Sequence, residues 1–408
     1  MSSFTLPAPS WAKEIASDNE LTNLLEKLRA QKTSRKFNCV MVKFVVEHRT
    51  LNGRIGKILR WGDVEIEHAT PSCMTYTRAG HIPHLTWDVA SKYLENVPTH
   101  LTLTDPLSER SMQFNNAGSI AIWTKAGRRS ISVAMIKKLL SYSHVSSYET
   151  MFDYGTPPDC SNKRLTKAVD RTVKFATELL HDSSPSGAVL IALCGGHSPF
   201  HHQRCAAEIG PALNCCGFVL DVMQFAKRHR FGFGKKKKVL KVSKSSSEST
   251  SETRQTDSSD DEASQSKMPL DPVVTESEFD ENAIRTLLAG VWPHLPPAHL
   301  RLANGAFSPT EVLALTRIGV DLFDSSYAVF LSEQGKAFIC SDDFPLDPTF
   351  SVLDFSDSIY AEDFTPLCKN CDCYTCTHYT KSYLRHLTNT RELLGPTLLI
   401  MLVLNSLF

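Results

Sequence analysis

Three cysteines in the run Cys371-Asp372-Cys373-Tyr374-Thr375-Cys376 constrain this chain more than any other feature. Unrelated free cysteines are scattered and buried singly, whereas thiolates at this spacing close on one tetrahedral Zn²⁺ from a tight turn leading into a helix. Cys371, Cys373 and Cys376 are therefore the expected metal ligands, with Cys368 just ahead of them. The N-terminal segment has no apolar core behind a basic start and carries Glu14, Asp18 and Glu20, which argues against a secretory signal and an acid-poor presequence. A cytoplasmic, reducing compartment is expected, where clustered thiols signify metal or redox chemistry rather than disulfides.

At 408 residues and 42% hydrophobic, the chain has the composition of a globular protein with one large core or two medium ones. Its 44 basic residues balance 44 acidic ones, so no overall excess of positive charge draws it to nucleic acid or an anionic membrane. Short apolar runs alternate with helical patterns, as in an α/β protein with parallel strands. Val40 to Val46 reads as a strand, and Trp61-Gly62-Asp63 as the turn of an early hairpin closed by Thr70-Pro71. Lys163 to Leu180 has the period of an amphipathic helix, and Ala188 to Leu193 is a buried strand ending at Gly195-Gly196. Ser308-Pro309-Thr310-Glu311 has capping-box order, and Gly319 ends the helix it starts.

One stretch breaks this pattern. From residue 235 to 280, Lys235 to Lys238 gives way to serines and to Asp257-Ser258-Ser259-Asp260-Asp261-Glu262, with too few large apolar residues to order itself. It reads as a disordered insertion between the α/β segments 1–234 and 281–408, with serines that are candidate phosphorylation sites. The apolar tail, Leu393 to Phe408, is shorter than the roughly 20 residues a bilayer requires and contains Pro396, so a buried helix is expected.

The run from Asn370 to Cys376, followed by Tyr379-Thr380-Lys381-Ser382-Tyr383-Leu384-Arg385-His386-Leu387, resembles the zinc segment of tRNA-guanine transglycosylases. So do Gly53 to Lys57, Tyr76 to Pro83, Phe152 to Pro157 and Gly319 to Asp324; the likeness spans about 39 to 402 without the insertion. It implies a (β/α)₈ TIM barrel with a zinc-binding subdomain at 368–408 and one Zn²⁺ per chain. The family's fourth zinc ligand is a histidine at the position occupied here by Leu402, and the family continues beyond the point where this chain stops at Phe408. That implies a truncated last helical part, apolar faces left bare and weaker zinc, with water, Cys368 or His378 as the replacement ligand.

In this family base exchange needs an aspartate nucleophile, a second carboxylate and a pocket gripping the purine. Asp324 matches the nucleophile and Asp153 the reader of the guanine edge. The remaining machinery is absent. Asp105-Pro106-Leu107-Ser108-Glu109-Arg110 stands in place of Asp-Ser-Gly-Gly-Phe-Gln, and Cys194-Gly195-Gly196 in place of Gln-Gly-Gly. Val222 and Met223 crowd the purine site, and Ser326 to Leu331 has no arginine for tRNA. No catalytic residue is assigned on this reading. The chain resembles the family's non-catalytic subunit: a heterodimer with the catalytic queuine tRNA-ribosyltransferase subunit, meeting it through the zinc subdomain. The pair holds tRNA jointly and exchanges guanine for queuine at the wobble position of GUN anticodons. The likeness also implies peripheral association with the mitochondrial outer membrane. The competing readings are an active transglycosylase using Asp324 and a stand-alone zinc or RNA-binding protein; zero net charge disfavours the latter. His201-His202 is a poor metal pair because adjacent side chains diverge. Phe231, Phe233, Phe344 and Phe350 read as packing residues, and His386 as packed against the zinc loop.

Overall fold

The computed structural model describes residues 41–50, 53–78, 81–86, 88, 97–107, 115–124, 127–142, 145–180, 187–210, 215–226 and 279–407. The Lys235 to Lys238 run, the acidic serine stretch, Phe231, Phe233 and Ser108 to Arg110 lie outside them. Strands β1 (Met41–Thr50), β2 (Gly53–Gly62) and β3 (Val64–Thr70) form an antiparallel sheet whose second turn is the expected one at Gly62-Asp63. Gly62 takes φ +66 there, a region that favours glycine.

The centre is a seven-stranded, all-parallel sheet. It is built from β4 (Ser72–Met74), β5 (His100–Leu101), β8 (Ser147–Glu149), β9 (Ala188–Ala192), β10 (Gly217–Val219), β11 (Leu300–Ala303) and β12 (Leu322–Asp324). The intervening β6 (Ser119–Thr124) and β7 (Gly127–Ser132) make a separate hairpin. The order β4-β12-β11-β10-β9-β8-β5 sets the first strand in sequence beside the last, Cys73 opposite Phe323, so the sheet curls as a TIM barrel does. Buried on both faces, β9 and β11 read as unbroken apolar-rich runs rather than alternating ones. β10 pairs directly with β11, so residues 227–278 enter within one crossover, between a strand end and the next helix.

Helices α1 (Val133–Tyr142), α2 (Asn162–Leu180), α3 (Pro199–Ile209), α4 (Glu281–Ala289) and α5 (Pro309–Ile318) surround the sheet. The stripe expected on α2 is the one it buries, through Leu165, Val169, Phe175, Ala176 and Leu179. Asp280, the last residue of the stretch read as an insertion, caps α4 by accepting from Ala283 N at 2.9 Å. In α5, Glu311 Oε2 accepts from Ser308 N at 2.7 Å, and Gly319 closes the helix at φ +105.

Arg54 fastens the N-terminal sheet to the barrel. Its Nε donates to Asp321 Oδ1 at 2.6 Å, its second nitrogen to Asp321 Oδ2, and its remaining donors to the carbonyls of Pro297 and His299. Both residues are almost wholly buried, and this network satisfies the charge they bring inside.

Beyond the barrel come α6 (Ser326–Ser332), the antiparallel hairpin β13 (Lys336–Cys340) and β14 (Phe350–Asp354), and helices α7 (Tyr374–His378), α8 (Lys381–Thr390) and α9 (Leu394–Leu407). Phe350 packs against Phe338 across the hairpin, as a packing residue should. The apolar tail is α9: Leu398, Leu399 and Leu402 join the subdomain core, while Ile400 packs with Tyr76, Leu107 and Val329 on the barrel side. Among the described residues no helix is long and apolar enough to cross a membrane.

Candidate functional site

Because all seven strands run the same way, the residues at their C-terminal ends share one rim. Glu149, Asp153, Gly195, Gly196, Asp221, Asn304 and Asp324 all occupy it, and each polar group is already engaged within the chain.

Asp153 is fully buried and held from three sides. Arg164 donates to Oδ1 at 2.7 Å and to Oδ2 at 2.9 Å, Arg171 to Oδ2 at 2.9 Å, and Asn115 to Oδ1 at 2.9 Å. Seven residues apart on α2, the two arginines share the face turned to the rim. No lone pair is left to read a guanine edge, so the likeness of Asp153 to a base reader is one of position, not of chemistry.

The Gly195-Gly196 backbone is equally occupied. Asp221 Oδ2 accepts from Gly195 N at 3.3 Å and Gly196 N at 3.1 Å. Gln224 Nε2 donates to Gly196 O at 3.0 Å, and His202 Nε2 stands 3.0 Å from the same oxygen. A Cβ on Gly195 would meet His202 Cδ2 at 2.3 Å, so glycine is required here by histidine packing. Val222 is fully buried beside these groups, as its place in sequence suggested, while Cys194 accepts from the Thr172 hydroxyl at 3.1 Å. Asp221, His202 and Gln224 escaped the sequence reading as the groups that fill the site; the only signal was a carboxylate in place of glycine after β10.

Asp324 ends β12 with Oδ2 accepting from Gly305 N at 2.5 Å and Oδ1 from Ser326 N at 2.7 Å. Burial pushes it up to about 6, against these bonds, with the charge of Asp105 adding. Asp105 itself accepts from Tyr76 Oη at 2.7 Å and Leu107 N at 2.9 Å. Glu149 accepts from Thr102 Oγ1, Leu103 N and Asn304 Nδ2, and burial raises it to about 7. Burial likewise raises Asp221 to about 6. These carboxyls serve as hydrogen-bond hubs of the barrel rim.

The cysteines come together as expected. The sulfurs of Cys371, Cys373 and Cys376 all lie within 4.8 Å of one another, at the start of α7. A tetrahedral site with Zn–S bonds near 2.3 Å has sulfurs about 3.8 Å apart, so small rotations of the three side chains fit them to such an ion. Burial raises the Cys373 and Cys376 thiols, with neighbouring sulfurs adding, a cost that a cation among the thiolates offsets. Leu402 shares a core cluster with Cys373 and Cys376, and Leu398, one turn earlier on α9, accepts at its carbonyl from Thr375 Oγ1 at 2.6 Å.

His386 departs from expectation. It is 61% exposed and lies near Glu392 and Tyr383 rather than against the zinc loop, because Leu384 and Leu387 take the inward face of α8. His201 and His202 diverge as anticipated, the former to Ser198 Oγ and the latter to Gly196 O.

A family model described as queuine tRNA-ribosyltransferase matches residues 269–402. The Caenorhabditis elegans protein named queuine tRNA-ribosyltransferase accessory subunit 2 is 38% identical over 397 residues, 88% of this chain and 94% of that relative. This chain belongs to the queuine tRNA-ribosyltransferase accessory subunit 2 family. The Caenorhabditis briggsae member is 36% identical over 88% of this chain and 94% of its own length, and one from Ixodes scapularis 26% identical over 85% and 89%. Membership in this family agrees with a rim whose base-binding groups are already satisfied, and it favours the accessory-subunit reading over that of an active transglycosylase.

Proposed function

We propose that this chain is the non-catalytic half of a heterodimer with the catalytic queuine tRNA-ribosyltransferase subunit, in which guanine at the wobble position of GUN-anticodon tRNAs is exchanged for queuine. The observation that carries this is the Gly195-Gly196 backbone, whose amides go to Asp221 and whose Gly196 carbonyl goes to Gln224 and His202. A purine entering there would have to displace bonds already made in a buried setting.

A row of rings on the zinc subdomain supports the partner assignment. Tyr374 stacks on His378 at 4.5 Å, Tyr379 on Tyr383 at 5.3 Å, and His386 extends the row. Tyr374 and Tyr383 are 49% and 39% exposed, and an aromatic patch of this kind suits the centre of a protein interface. Cys371, Cys373 and Cys376 hold one Zn²⁺ that cross-links the loop to the α7 helix beneath those rings. The dimer then holds tRNA jointly, in the cytoplasm and at the mitochondrial outer membrane surface.

The test is guanine exchange into a GUN-anticodon tRNA by this chain, by the catalytic subunit and by the two mixed, with zinc quantified in each. Activity only in the mixture supports the proposal; activity of this chain alone refutes it.

A further inference from the structure

Three sulfurs define three corners of a tetrahedron, and structural zinc takes four ligands. The side chains around the fourth corner differ sharply in what they can give. Leu402 has no donor atom. His378 is exposed, with its ring on Tyr374 and Nδ1 2.8 Å from Thr377 Oγ1 and 3.0 Å from Tyr374 O. Asp372 is exposed as well.

Cys368 differs from all of these. It packs against the cluster that contains Cys373, Cys376 and Leu402, and shares with Leu402 the wall of a cavity of about 360 Å³ between the barrel and the subdomain. Its backbone amide lies near enough to the Cys376 sulfur to favour the thiolate there. Lys369 and Asn370 form a turn between Cys368 and Cys371. The chain therefore reads Cys368-x-x-Cys371 and Cys373-x-x-Cys376, two C-x₂-C pairs one residue apart, each at a spacing usual for thiolate ligands of zinc. Within the second pair, Cys376 N donates to the Cys373 sulfur at 3.4 Å.

We propose that Cys368 is the fourth zinc ligand of this chain, completing a site of four thiolates with Cys371, Cys373 and Cys376. Cys368 lies outside the group of sulfurs within 4.8 Å of one another, so its side chain must turn toward them when the metal binds. Four thiols each release a proton to solvent and four Zn–S bonds form, leaving a site of net charge −2 in which the Cys376 amide donates to the Cys373 sulfur. The inference rests on the cluster taking zinc, and the experiment separates the two claims.

The full-length, zinc-loaded chain is alkylated with and without a chelator, zinc is counted by mass spectrometry, and modified cysteines are mapped by peptide. The expected result is one zinc per chain, with Cys368, Cys371, Cys373 and Cys376 all protected and all released by the chelator. In the cobalt-substituted protein, Cys368→Ser should remove about a quarter of the sulfur-to-metal charge-transfer absorbance, and Leu402→His added to that variant should leave the band at its three-thiolate intensity. Zinc at one per chain with Cys368 modified equally with and without chelator overturns the proposal and leaves the zinc reading standing. A chain without zinc overturns both. Should Cys368→Ser fail to fold, the protection pattern of the unaltered chain decides alone.

Discussion

Arg164 clasps Asp153 with two nitrogens, one to each carboxylate oxygen, at 2.7 and 2.9 Å. A retained aspartate at the position of a base reader thus serves as the anchor of α2, held there by arginine donors. Fully buried, Asp153 cannot be left without them; its charge is tolerated only because Arg164 and Arg171 complete a compact ion cluster.

Asp153→Asn should therefore cost about 2–4 kcal/mol of stability, since two half-buried guanidiniums lose their counterion. The urea midpoint should fall at unchanged slope. A base-reading aspartate would behave in the opposite way, with the queuine KM of the mixed enzymes rising and the midpoint unmoved.

Asp324→Asn tests the other retained residue. Gly305 N and Ser326 N each donate to one carboxylate oxygen, and asparagine keeps an acceptor for only one of them while turning an NH₂ group on the other, so a stability loss of about 1–2 kcal/mol is expected. Exchange by the mixture with the catalytic subunit should stay within about twofold of the unaltered pair. A loss of a hundredfold or more would make this carboxylate a participant in the chemistry.

Where local pattern and spacing govern, the sequence was sufficient. The turn at Gly62-Asp63, the buried stripe of α2, the capping box at Ser308 and the three clustered thiols each involve residues within one element or one turn. The groups that fill the rim come instead from neighbouring strands: Asp221 reaches Gly195 and Gly196 only because β9 and β10 pair in parallel with Ala192 beside Val219. Nothing in the spacing of 25 residues between Gly196 and Asp221 announces that contact. The exposure of His386 was hidden for a related reason, since the inward face of α8 is chosen by Leu384 and Leu387 meeting α9.

The aromatic row yields a prediction about assembly. Tyr383→Ala removes a ring that is 39% exposed and stacks on Tyr379, so the fold should hold while the heterodimer weakens about tenfold or more, roughly 1.4 kcal/mol. Calorimetric titration with the catalytic subunit reads the affinity, and zinc content should not change. An unaltered Kd would place the interface elsewhere on the chain.

Glu149 offers the sharpest pH signature. Burial raises its carboxyl from 4.5 to about 7 despite bonds from Thr102, Leu103 and Asn304. A carboxyl raised on folding contributes stability that is complete below its unfolded value and is lost as pH climbs through the folded one, here between about 4.5 and 7. Glu149→Gln is neutral throughout and lacks that loss. At pH 5 the variant should be equal to the unaltered chain or slightly weaker, because its amide NH₂ faces the Asn304 donor. Between pH 5 and 8 the difference should move about 2.5 kcal/mol in its favour, from 1.36 kcal/mol for each pH unit over which the folded and unfolded carboxyls differ in charge. Asp221 and Asp324 are raised in both proteins and cancel from the comparison. Urea titrations at the two pH values measure it, and parallel stability curves would mean that Glu149 ionises inside the barrel as readily as in water.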